Sequence, residues 1–235
     1  MKKAADAGRN FSALMKKIGK PASPSKKEDP IDVLVLSLLM WESTAAKAKT
    51  AYERIQQRIV DFNDLRVSMP QEITGFIGSR YPRAEERSQR LRAVLRNIYH
   101  REHAVSLERL GTMGKREIKK YLHSLDGIVP FAADRVMLLC FGTHCIPVDE
   151  NLQSALLKTG ACEESLDLSE LSSWLSRQVK ASEAAATYFS LQAWVDRGAS
   201  PPGSRPTASR AAKTTSTKKK KPTAVAGRKK SSPSQ

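Results

Sequence analysis

The stretch Lys115-Arg-Glu-Ile-Lys-Lys-Tyr-Leu-His-Ser-Leu-Asp-Gly-Ile-Val-Pro-Phe-Ala-Ala-Asp-Arg-Val-Met-Leu-Leu139 decides the fold. It reads as helix, tight turn, helix. Ile118, Tyr121 and Leu122 mark the apolar side of the first helix, Gly127 supplies the positive φ of the turn, and Pro130 suits the first turn of the second helix. A turn of this kind presents backbone N–H groups at a helix start, where they can hold a DNA phosphate without touching a base. Packing alone explains an isolated Gly-containing turn equally well, so its surroundings carry the weight.

Downstream, Phe141-Gly-Thr-His-Cys-Ile-Pro-Val-Asp149-Glu-Asn-Leu-Gln-Ser-Ala-Leu156 sets a carboxylate at the start of the next helix. Upstream, Ile31 to Met40 is almost wholly apolar and suits a central buried helix; Ala45 to Ile59 places Ala48, Tyr52, Ile55 and Ile59 on one face. Ser68-Met-Pro-Gln71 reads as a capped helix start, and Glu85 to Tyr99 sets Leu91, Val94, Leu95 and Ile98 opposite a row of arginines. Asp167-Leu-Ser-Glu170 is a second capping box, and Ser182 to Val195 forms the last helix. Alternating strand patterns are absent. The expected architecture is all-α, with roughly nine helices and short connections.

The charge is unevenly placed. The chain of 235 residues has a net charge of +16, yet residues 1–27 carry +7 and residues 199–235 carry +10, which leaves 28–198 at −1. Three domains follow: a basic N-terminal arm (1–27), a helical domain (28–198) and a Lys/Pro/Ser/Ala-rich basic tail (199–235) whose composition predicts disorder. The Lys218, Lys219, Lys220, Lys221 run suits salt-sensitive, sequence-independent binding to nucleic acid. No apolar stretch reaches membrane-span length, and the N-terminus lacks the apolar core of a signal peptide. Three cysteines make neither a closed disulfide framework nor a four-thiolate site, and four scattered histidines show no zinc spacing, so no metal is expected. The expected setting is cytoplasmic and nucleoid-associated, or nuclear.

In order and spacing these elements resemble the helix-hairpin-helix (HhH-GPD) DNA glycosylase superfamily, in its endonuclease III-like branch. The hairpin Leu-Pro-Gly-Val-Gly-x-Lys-Thr-Ala of that family stands here as Leu125-Asp-Gly-Ile-Val-Pro-Phe-Ala-Ala133, and its Val-Asp-Thr-His/Asn as Val148-Asp-Glu-Asn151. Asp29 to Thr44 is similar to the opening helix, and Tyr81 to Ile98 to the Tyr-x-x-Lys-Ala helix, with Arg87 where the Lys falls. The resemblance implies duplex DNA as partner, a monomer, and base-excision repair N-glycosylase activity with Asp149 as the catalytic carboxylate. It further implies DNA contacts from Gly127, Ile128, Val129 and Ala132 of the hairpin, and from Glu42 and Trp41 after the first helix.

The departures matter chemically. Phe131 stands where bifunctional relatives carry the Schiff-base lysine, so the expected activity is monofunctional, without lysine-dependent lyase chemistry. No cysteine follows Cys162, so no iron–sulfur cluster is expected as a cofactor. Val129 replaces a glycine at a place where a β-branched residue resists positive φ, which predicts a rearranged loop. Asp149 also reads as a plain helix cap, Glu42 as a helix-end residue and Trp41 as core. The alternative function is therefore a noncatalytic DNA-binding or chromatin-associated protein that retains the glycosylase fold.

Overall fold

The computed structural model describes residues 2–19 and 28–199, and the description below is confined to them. Among these residues there are eleven α-helices and two short 3₁₀ turns, Glu108–Thr112 and Ala181–Glu183, and no strand. The helices are α1 (Lys2–Ile18), α2 (Pro30–Met40), α3 (Ala45–Gln56), α4 (Phe62–Val67), α5 (Pro70–Ile77), α6 (Ala84–Glu102), α7 (Lys115–His123), α8 (Pro130–Phe141), α9 (Glu150–Lys158), α10 (Leu168–Gln178) and α11 (Ala184–Asp196).

Two apolar helices, α2 and α8, lie at the centre and pack on each other. α2 buries Val33, Leu34, Val35, Leu38 and Leu39, and α8 buries Phe131, Ala132, Ala133, Val136 and Met137. Each large side chain so buried contributes roughly 1.5–3 kcal/mol. On one side α3 and α6 pack on α2, with α5 on α3 and α6 and α4 on α6; α11 touches α8, α9 and α3. α7 pairs with α8 as the hairpin foreseen from the sequence.

Local chemistry sets the helix ends. Asp29 caps α2, its Oδ1 accepting from the Ile31 N–H at 2.7 Å, with Pro30 in the first turn. Asp167 and Glu170 exchange bonds of 2.7 and 3.0 Å at the start of α10, the expected capping box. At α5 the cap lies one residue later than expected: Met69 is the cap, its N–H donating to Glu72 at 2.7 Å, while Ser68 ends α4. The helices outnumber the nine expected because α4 is separate and residues 2–18 are helical.

Much of the segment read from sequence as a basic N-terminal arm is thus the helix α1. Ala7, Phe11 and Ile18 of α1 are buried, and the Phe11 ring meets Trp174 edge-on at 5.8 Å. Asn10 donates to the Gly160 carbonyl at 2.9 Å. The 7, 11, 14, 18 spacing of apolar residues was the available signal; the lysines between them lie on the outer side of an amphipathic helix. The cysteines are free thiols, with burial pushing Cys145 up to about 12. No helix among the described residues is long and apolar enough to cross a membrane. The 199–235 tail beyond Ala199, with Lys218 to Lys221, lies outside the described residues.

Candidate active site

Asp149 is the N-cap of α9, in extended backbone that its neighbour Val148 leads into. One carboxylate oxygen accepts from the Leu152 N–H at 2.9 Å and the other from the Glu42 N–H at 3.0 Å. Only 4% of the residue is exposed. Burial pushes its pKa above the ordinary carboxylate value, against the pull of these two N–H donors, and the neighbouring Glu150 adds to the rise. Cap and candidate catalyst are thus one group, as the sequence allowed.

Glu42 reaches Asp149 because the chain turns sharply after α2. Trp41 ends that helix, Glu42 takes φ 49°, and Ser43 N–H closes the turn on Met40 at 2.8 Å. A left-handed conformation is costly for a residue other than glycine, and it persists here through the hydrogen bond that the Glu42 N–H donates to Asp149 and an Arg83 ion pair at 2.9 Å. Burial raises the Glu42 pKa first, followed by the hydrogen-bonding and charge influence of the Glu150 carboxyl, despite the opposing charge of Arg83.

A carboxyl whose folded-state pKa exceeds its unfolded value contributes stability that is complete in acid and is lost as pH rises through the folded value. Glu42→Gln is therefore expected to melt above the parent near pH 7, with the gap closing near pH 4. Paired thermal melts at the two pH values check this, and an unchanged gap would contradict it.

Trp41, 7% exposed, sits within three guanidinium groups: Arg83 at 4.9 Å, Arg90 at 5.2 Å and Arg87 at 5.5 Å from the ring centre. Its indole N–H donates to Glu150 at 3.3 Å. Arg87 and Arg90 lie in α6 and belong to the row of arginines seen in sequence, where only Arg87 was singled out, whereas Arg83 is the left-handed N-cap of α6. Glu150 escaped notice too, hidden by its neighbour's cap role. Arg87 is fully buried and donates to the Pro82, Leu38 and Trp41 carbonyls, so it holds the end of α2.

Arg90 links this turn to the hairpin, donating to the Gly127 carbonyl at 3.2 Å. Gly127 has φ 83°, and a Cβ there would lie 3.0 Å from Ala93 Cβ and 3.1 Å from the Arg90 carbonyl. Gly127→Ala is accordingly expected to cost about 2 kcal/mol, read by chemical denaturation, because it combines a disfavoured φ with an overpacked contact. Val129 takes φ −106°, ψ 143°, so no positive φ is needed at that position and the expected rearrangement does not arise from strain.

Within the hairpin the Ile128 N–H closes the turn on Leu125 at 3.2 Å, and the Ala132 N–H is taken by the Val129 carbonyl at 3.0 Å. The Gly127 and Val129 N–H groups have no protein partner among the described residues. Phe131 is buried with its ring 6.5 Å from that of Tyr188, whose hydroxyl accepts from Arg135 at 3.0 Å. Among the described residues no group of three or more His, Cys, Asp or Glu side chains is placed to hold a metal.

No protein-family model and no curated protein sequence matches the chain. Solved structures do. A trapped endonuclease III–DNA covalent intermediate aligns with TM-score 0.61 and 16% identity over 79% of this chain and 83% of that one. A thermostable thymine-DNA glycosylase aligns with TM-score 0.59 and 18% identity over 83% and 86%. The 3-methyladenine DNA glycosylase of H. pylori, bound to 1,N6-ethenoadenine, aligns with TM-score 0.61 and 14% identity over 83% and 98%. The described helices therefore share the fold of these solved DNA glycosylase structures.

Proposed function

We propose that the chain is a monofunctional base-excision DNA N-glycosylase that hydrolyses the glycosidic bond of a damaged or mismatched base. The observation that carries the reading is the carboxylate of Asp149, held at the head of α9 by two backbone N–H groups in a fold whose solved examples act on DNA. Glycosidic cleavage passes through an oxocarbenium-like sugar, and a fixed carboxylate in a dry site stabilises that charge. Ionised Asp149 takes this role and positions the attacking water. Phe131 offers no amine, so strand scission by a Schiff base at this position is not part of the mechanism.

In this reading the Gly127 and Val129 N–H groups hold a backbone phosphate beside Ile128, and Glu42 lies nearest the gap left by the flipped base. Trp41 meets DNA only after the arginines around it move. The protein acts as a monomer on chromosomal DNA, in the nucleoid or nucleus, without an iron–sulfur cluster. The test incubates the full chain with duplexes bearing a panel of lesions and mismatches. Base release with strand breaks appearing only after alkali is the expected result; no release from any duplex would overturn the proposal.

One observation favours a second reading. Asp149 is almost wholly covered and both its oxygens are engaged, as befits a noncatalytic DNA-binding protein in which it serves only as a cap. That reading predicts binding to undamaged duplex and no base release.

A further inference from the structure

A cavity of about 410 Å³ lies between α3, the end of α5 and the turn that leads into α6. Lys47, Arg54 and Arg80 line it, with no carboxylate among the lining residues, and none of the three forms an ion pair among the described residues. Three other cavities differ. One of about 640 Å³ sets Glu28, Asp29 and Glu108 against Lys115, one of about 440 Å³ holds acids alone, and one of about 450 Å³ offsets Lys119 and His123 with Asp134. Unbalanced positive charge thus marks the α3–α5 cavity.

The cavity is also built. Arg54 donates to the Ile77 carbonyl at 3.3 Å, and its guanidinium occupies the space beside Gly78, where a Cβ would stand 3.1 Å away. Gly78, at φ 103°, leaves that place open. Lys47 stands in the first turn of α3, whose dipole adds to the attraction for an anion. Ala51, Ile77 and Tyr81 give an apolar wall, and the Tyr81 hydroxyl is tied to the Leu39 carbonyl at 2.7 Å. Pro82, also lining it, precedes Arg83, the partner of Glu42. The cavity therefore adjoins the candidate site through the Glu42–Arg83 pair and is distinct from the hairpin.

We propose that this cavity binds a DNA phosphodiester, with the cations on the phosphate and the apolar wall against the sugar. The inference rests on the DNA-binding part of the proposed function and adds a second anchor to the hairpin. It is tested with the full chain and a fluorescent, undamaged duplex, by anisotropy across a salt series. Each lost phosphate contact lowers the slope of log affinity against log salt by about 0.9. Lys47→Gln/Arg80→Gln removes two cations whose side chains make no hydrogen bond or ion pair among the described residues, and adding Arg54→Gln tests the third.

The control, Lys158→Gln/Arg177→Gln, removes equal charge on α9 and α10. A slope shallower by about 0.9 for the cavity variants, beyond the control, is the expected result for the one phosphate lost. A change no larger than the control's would overturn the proposal. Base release from lesion duplexes by the parent chain is scored in parallel. Its absence alongside an altered slope overturns the glycosylase reading alone, and its presence with an unaltered slope overturns the cavity alone.

Discussion

Asp149→Asn is expected to lower base release by about two to three orders of magnitude while the protein stays folded. The variant isolates charge from capping. Asparagine is as good an N-cap as aspartate, so the 2.9 Å bond from the Leu152 N–H survives. The other oxygen becomes an amide NH₂ facing the Glu42 N–H, which replaces a 3.0 Å bond with two opposed donors. Leaving that buried donor unpaired costs about 1–3 kcal/mol. A modest loss of stability and a large loss of rate are therefore expected together, from single-turnover base release and a denaturation curve on the same preparation. Release that survives unchanged would reject Asp149 as the catalyst. Because burial raises its pKa, the acid limb of the parent's pH–rate profile is expected above the ordinary carboxylate range.

Arg87→Met is expected to cost about 3–4 kcal/mol, the largest loss of stability among the variants considered. Methionine retains much of the aliphatic stem but none of the donors. The Leu38, Trp41 and Pro82 carbonyls then lose their partner in the core, and two of them belong to the end of α2. The effect extends to the site, since the turn that presents the Glu42 N–H to Asp149 begins at Trp41. A larger rise over the parent in amide hydrogen exchange at Glu42 and Ser43 than within α2 is the accompanying sign. Parent-like stability would show that water replaces the guanidinium at no net cost.

These two residues show how differently the parts of the site were legible. Asp149 could be read from the chain because a cap is a local device: an acid in an extended residue before an apolar helix, at a fixed distance from a Gly-containing hairpin. Gly127 was legible for a similar reason, since positive φ is a property of one residue. Arg87 was noticed only for its place in a family pattern. That its guanidinium holds three carbonyls from α2 and the α5–α6 connection depends on a 46-residue separation being closed in space. Glu150 and Arg83 carry no local sign, and their meeting with Trp41 and Glu42 follows from the packing of α6 and α9 around the end of α2.

The opening stretch, with the helical periodicity around it, determined an all-α chain, the α7–α8 hairpin and the placement of one carboxylate after it, because caps, turns and amphipathic faces are encoded over a few neighbouring residues. The excess of positive charge at the two ends was equally plain from composition. Only the tertiary structure decided that α1 docks through Ala7, Phe11 and Ile18, that Val129 needs no left-handed backbone, and that Glu42 closes over Asp149. It alone brought Lys47, Arg54 and Arg80 to one cavity. Local chemistry fixes which helices form and where they end; the mutual burial of their apolar faces selects which polar groups meet.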